Sequence, residues 1–249
     1  LTWLAGLVVV GYYGAAMRIV ELLIPVIGAL AGPLYPRLAH LYETGGAGAV
    51  GESLGRALRY LAALCLPLGV GGAVLAGPII MLVFGTAFTP AAVVFAWAIW
   101  VAALTGMHTP LLHALNAMHR TSWIAVLFLA NLGVGVAGNL ALVPALGAAG
   151  TAVTAVACEA LTLAAAFALV GRGCGVSLPV RGALLPAAPA ALAMGVVLAL
   201  LPPPEGLVTM AYIGGGAVLY GVLLFLLGFF RPEEREYIRR VLRGARITG

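Results

Sequence analysis

Residues 122–144 read SWIAVLFLANLGVGVAGNLALVP: 23 residues without a charged side chain, preceded by Arg120 and followed by no basic residue until Arg172. An α-helix of about 20 residues crosses the hydrocarbon core of a bilayer, so this stretch is long enough to span it. It lacks the strict apolar/polar alternation of an outer-membrane barrel strand, and an open sheet would leave its edge amides unsatisfied in lipid. The segment is therefore read as a transmembrane helix.

The same pattern recurs along the chain. Seven complete spans are predicted, at Gly11–Leu41, Leu54–Ala76, Pro90–Ala117, Ser122–Pro144, Ala148–Gly171, Val180–Leu201 and Leu207–Phe230. Composition agrees: 63% hydrophobic and 8% charged residues, with a mean hydropathy of +1.12, exceed what a soluble core of this length can hide. The fold class expected is an all-α membrane protein. Lys and Asp are absent, and twelve of the thirteen arginines fall in four stretches, 37–59, 120, 172–181 and 231–246. The intervening turns 77–90, 143–147 and 201–206 carry no basic residue. Positive charge at span ends favours the cytoplasmic face, which places all four basic stretches and the C-terminus inside. The arginines are spread over separate loops, so a nucleic-acid partner is not expected.

Three regions follow from this reading: a stub of a preceding helix at 1–10, too short to span, a transmembrane lobe at 11–230, and a cytoplasmic tail at 231–249. In the tail, Tyr237, Ile238, Val241, Leu242 and Ala245 share one helical face and Arg235, Arg239, Arg243 and Arg246 another, the pattern of an interfacial amphipathic helix. Cys65, Cys158 and Cys174 form no CxxC pair and are expected to be free thiols. Asn131, Gly135 and Asn139 at spacing four, facing Gly147, Gly150 and Thr154, predict close contact of the fourth and fifth spans or a polar cavity face. His108 and His113 are five apart, off the spacing that puts two ligands on one helix face, so no metal site is expected. The sequence carries no Ser/His/Asp set, phosphate loop, GxGxxG or paired carboxylates, so neither enzymatic activity nor a cofactor is expected.

The run VGYYGAAMRI at 10–19, followed by Pro36-Arg37-Leu38, resembles the eighth helix of bacterial polysaccharide and O-antigen repeat-unit flippases, members of the multidrug/oligosaccharidyl-lipid/polysaccharide exporter superfamily. LVFGTAFTPAA at 82–92 is similar to that family's outer loop before its tenth helix, and LNAMHR at 115–120 to an inner turn, with His119 standing where a small residue such as Gly is usual. NLALVPALGAAG at 139–150, continuing to Glu159, is similar to the family's junction of the eleventh and twelfth helices. The resemblance implies two related lobes of seven helices each, of which this chain holds the C-terminal lobe. Substrate binds between the lobes, so the missing N-terminal lobe is an implied partner, and this chain alone is not expected to transport. The implied cargo is an undecaprenyl-pyrophosphate-linked oligosaccharide, moved across the bacterial inner (plasma) membrane by alternating access.

Only Arg18, Glu21 and Glu159 place a charge inside a span, where an ionised group is expensive unless it faces water or a partner. Counted from Gly11, Arg18 lies ~10 Å and Glu21 ~15 Å along the helix, on roughly one face. Arg18 is either a bidentate contact for an anionic pyrophosphate headgroup or the partner of Glu21 in an intrahelical pair. Glu21 is also the local candidate for cation coupling, and Glu159 is read as an interhelical hydrogen-bonding group or a proton or cation site. Tyr12 and Tyr13 are interfacial anchors or sugar-stacking residues. A cation-coupled multidrug exporter of the same superfamily is the alternative transporter reading. A polytopic enzyme or scaffold of polysaccharide biosynthesis is the alternative from another class.

Overall fold

The computed structural model describes residues 7–178 and 180–229. They form eight α-helices and, among the described residues, no strand: α1 (Leu7–Ala31), α2 (Leu34–Val74), α3 (Ala76–Phe84), α4 (Ala91–Ala117), α5 (Thr121–Leu146), α6 (Ala148–Ala168), α7 (Val180–Leu200) and α8 (Val208–Leu226). A 3-10 turn at Thr86–Phe88 precedes α4, and a π-helical turn at Leu169–Gly173 extends α6. Among the described residues, five stretches are long and apolar enough to cross a membrane: Val8–Val74, which contains α1 and α2, then α4, α5, α6 with its π turn, and α8. The apolar part of α7, Pro186–Leu200, is shorter.

Two expected boundaries are corrected. The first span does not continue to Leu41; α1 ends at Ala31, and Pro33 takes the N-cap position of α2. Proline suits the start of a helix, because the amide it lacks would have no intrahelical acceptor there. The second helix does not begin at Leu54. It begins at Leu34 and is interrupted at Gly46, whose φ of 65° and ψ of −161° lie outside the helical region. The glycine-rich run at 45–51 weakens a helix intrinsically, yet Val50, Leu54 and Leu58 pack in one buried cluster with Leu111 and Leu115 of α4 and Ala166 of α6. Tertiary burial here outweighs low propensity. Leu7–Val10 belong to α1 and are not separated from Gly11. Residues 1–6 of the expected stub, and the expected amphipathic tail, lie outside the described residues.

α4 is the central helix. It is buried along most of its length, and α1, α2, α3 and α6 pack around it. The closest approach is at Gly106, where a Cβ would stand 2.5 Å from Cys65 Sγ of α2 and 2.6 Å from Ile27 Cγ2 of α1. No other residue type fits between these helices without displacing them. α5 is peripheral and packs mainly on α6, leaving Val126, Leu129, Leu132, Val136 and Leu140 exposed.

Among the described residues, Arg120 and the chain beside Arg172 come together with the Tyr42–Ala47 segment of α2 at one end of the bundle. A cavity of about 500 Å³ there is lined by Tyr42, Gly46, Met118, Arg120, Gly173 and Cys174 among others. At the same end, Arg59 of α2 donates a hydrogen bond to the Phe229 carbonyl just beyond α8, and its guanidinium lies 4.5 Å from the Phe229 ring centroid. At the opposite end, Tyr12 meets Phe88 of the 3-10 turn edge-to-face at 6.1 Å, and Gly147, between α5 and α6, lies beside Val9.

Candidate functional site

α1 turns one face to α4 and leaves the other open. Ala15, Ala16, Val20, Ile27 and Ala31 are buried, and beyond the adjacent pair they recur at intervals of four and seven, one and two helical turns. On the open side, Gly11, Gly14, Arg18, Glu21, Pro25 and Gly28 form a continuous stripe of small and charged residues, all exposed. A Cβ added at Gly11, Gly14 or Gly28 would meet nothing within 4 Å, so backbone lies open along this stripe. Beside it runs an aliphatic stripe of Leu22, Val26 and Leu30, exposed to 74%, 62% and 61%.

Arg18 and Glu21 share the open stripe without forming an ion pair or hydrogen bond, so the intrahelical pair is not the arrangement the structure holds. Counted from Leu7, the first described residue, they lie ~16 Å and ~21 Å along α1. An unpaired guanidinium beside open backbone offers two parallel donors to a phosphate or carboxylate. Tyr12 and Tyr13 are half-buried, and both pack against the core around α4. Tyr12 braces the 3-10 turn through Phe88, which accounts for its position without a ligand.

Glu159 lies elsewhere, on α6 against α4. Its Oε2 is 2.5 Å from His108 Nε2 and accepts a hydrogen bond from Thr105 Oγ1 at 3.2 Å. His108 is buried, whereas the Glu159 side chain is 27% exposed. Sequence reading selected Glu159 and missed Thr105 and His108. The available signal was their spacing of three on α4, which stacks them on one face, but it names no partner on another helix. This group offers one imidazole and one carboxylate, and among the described residues no three His, Cys or acidic side chains converge to hold a metal.

α5 and α6 meet through a second polar seam. Asn131 donates to Thr162 Oγ1 at 2.5 Å, Cys158 Sγ donates to the Asn131 carbonyl at 3.6 Å, and a Cβ at Gly138 would lie 2.7 Å from Thr154 Cγ2. The small residues therefore bring the two helices into close contact, and the polar groups close on each other. At the basic end, burial pushes the Cys174 thiol above its ordinary range, with the nearby positive Arg120 partly opposing the shift.

The architecture is a polytopic helical bundle with a buried central helix and an open, charged stripe on α1. It matches a solved structure described as the lipid II flippase MurJ in an inward closed conformation, with a TM-score of 0.71 and 16% sequence identity over 86% of this chain. At that identity the likeness is one of fold, and the chain spans 46% of the matched protein's length. No family model matches the chain, and no curated protein does.

Proposed function

We propose that this chain is the C-terminal lobe, residues 11–230 with a cytoplasmic tail, of a two-lobe flippase in the bacterial inner membrane. Its helices would pair with an N-terminal lobe of the same protein and move a lipid-linked oligosaccharide from the cytoplasmic to the outer leaflet by alternating access. The observation that carries this reading is the fold likeness, over 86% of the chain, to a protein named as a lipid flippase. The open stripe of α1 supplies a fitting surface: Arg18 contacts the pyrophosphate of an undecaprenyl-pyrophosphate headgroup, Glu21 and Tyr13 flank it, and the Leu22–Leu30 stripe meets lipid. The basic end of the bundle faces the cytoplasm, in keeping with the bias of arginine toward that side.

Two cargoes fit the lipid-linked class. The sequence motifs favour a polysaccharide or O-antigen repeat unit, whereas the solved neighbour's description favours lipid II. The deciding experiment reconstitutes the chain with and without a matched N-terminal half and measures translocation of each lipid-linked substrate per folded molecule. Translocation is expected only when both halves are present. Activity of residues 1–249 alone, or transport of hydrophobic cations in place of either lipid-linked cargo, would overturn the proposal.

A further inference from the structure

His108 and Glu159 make a contact that the open stripe of α1 does not use. It joins the central helix α4 to α6, and its geometry constrains how many protons it can hold. One proton lies between His108 Nε2 and Glu159 Oε2, whichever atom it is formally assigned to. With that proton alone the pair carries a net charge of −1, and Thr105 supplies an additional donor to the carboxylate oxygen. The second proton has two places to go: His108 Nδ1 or the other carboxylate oxygen of Glu159.

These two sites differ. His108 Nδ1 is buried and has no hydrogen-bonding partner, so a proton there would create a buried N–H with no acceptor. Loading the pair nevertheless makes it neutral, which a low-dielectric surrounding favours. For a proton at Nδ1 the two demands conflict in this arrangement, and they are reconciled only when α4 and α6 shift enough to bring water or an acceptor to it, whereas the other Glu159 oxygen is partly exposed. The partly exposed Glu159 carboxylate gives the proton a way in from the surface of the bundle.

No other charge holds the pair in one state. Cys158 neighbours Glu159 on α6, Cys65 of α2 lies against Gly106, and α5 contributes only the uncharged Asn131 to this region. α1 carries Tyr13, Arg18 and Glu21, the latter two on its open stripe, and neither α3 nor the 3-10 turn has an ionisable side chain. His113, on α4 itself, lies edge-on to Tyr35, and Arg172 of the π turn is exposed. None of these forms an ion pair with His108 or Glu159.

We propose that His108, Glu159 and Thr105 form a proton-binding site whose loading changes the packing of α4 against α6. As a coupling device for transport it rests on the flippase reading above; as a proton site it stands independently of the cargo.

The test is pH-difference infrared spectroscopy on the protein in lipid bilayers, paired with a spin-label distance between the basic end of α4 and that of α6. Wild type should show one protonation step assigned to the pair and a distance change with the same midpoint. Glu159→Gln keeps the shape and should abolish both signals. His108→Gln should shift the midpoint by more than one pH unit. Thr105→Val, which removes one donor from the carboxylate and disturbs packing least, should raise the midpoint. A protonation step unchanged in all three variants, or absent from wild type, would overturn the site. A step without a distance change would overturn its link to helix packing. Loss of lipid-linked transport activity altogether, with the protonation step intact, would count against the flippase reading and leave the site standing.

Discussion

Arg59 on α2 donates to the backbone carbonyl of Phe229, 170 residues further along the chain, and lies over its ring. The Phe229 amide in turn donates to the Leu224 carbonyl at 3.0 Å in the turn that closes α8. A cation at the end of a helix meets the negative pole of its dipole, so one side chain both docks the last described helix and neutralises its terminus. Sequence reading saw Arg59 only as one of the charges that set topology.

Replacing Arg59 with Ala should destabilise the protein by about 1.5–3 kcal/mol, the range for hydrogen bonds to charged groups, and Lys should recover only part of that. Thermal unfolding in detergent gives the magnitude, and limited proteolysis near residue 229 should report loosening there before the rest of the bundle opens. Equal stability of wild type and Arg59→Ala would show that α8 is held by its apolar contacts alone.

His119 occupies the left-handed region at φ 58°, the only non-glycine residue among those described to do so. It sits at the position after the α4 cap, with Arg120 N–H donating to the Leu115 carbonyl at 2.8 Å and His119 N–H to that of Asn116 at 3.0 Å. That pairing is a Schellman closure, which glycine favours. His119→Gly should therefore stabilise the protein by about 1 kcal/mol, less whatever the edge-on contact with Tyr42 contributes. Destabilisation would mean that the ring contact outweighs the backbone strain.

Arg18 is exposed and unpaired, so Arg18→Ala should leave protein abundance unchanged. Activity in the assembled transporter should fall from wild type to Arg18→Lys to Arg18→Ala, because lysine keeps the charge but loses the planar fork. Adding Glu21→Ala should not restore it. Export recovered in the double variant would return Arg18 to an intrahelical role.

Topology is open to labelling. Cysteines introduced at Gly45 and Gly175 should be protected from an impermeant reagent added outside, and those at Thr86 and Glu205 should react; all four positions are exposed. The reverse pattern would invert the orientation. Cys174 is a native reporter at the basic end. Because burial raises its pKa, the thiolate is scarcer at a given pH than for a free thiol. Its alkylation from the inside should therefore be slower at neutral pH than that of an unburied thiol and should speed up as the pH is raised.

The helices whose ends are marked by a break in hydropathy were legible. α4, α5 and α6 begin within a residue of expectation, because Pro90, Arg120 and Gly147 punctuate the sequence there. The region from Gly32 to Ser53 was not. Pro33 fell inside a first span expected to run to Leu41, whereas it opens a new helix, and the glycine-rich run was left between two expected spans although Val50, Gly51 and Ser53 are buried inside α2. Period and propensity are local quantities, and neither contains the neighbours that bury those residues. The same limit hid His108: its partner stands 51 residues away on another helix, and only packing brings the two together.

The glycine contact at the middle of α4 has a mechanical consequence. Where Ile27, Cys65 and Gly106 meet, three helices are separated by almost no side-chain volume, so moving them apart there would open a void in a close-packed interior. Tilting them about that point creates none. Any tilt of these helices would therefore pivot at this crossing, and it would move the Arg120 end of the bundle and the Tyr12–Phe88 end in opposite senses.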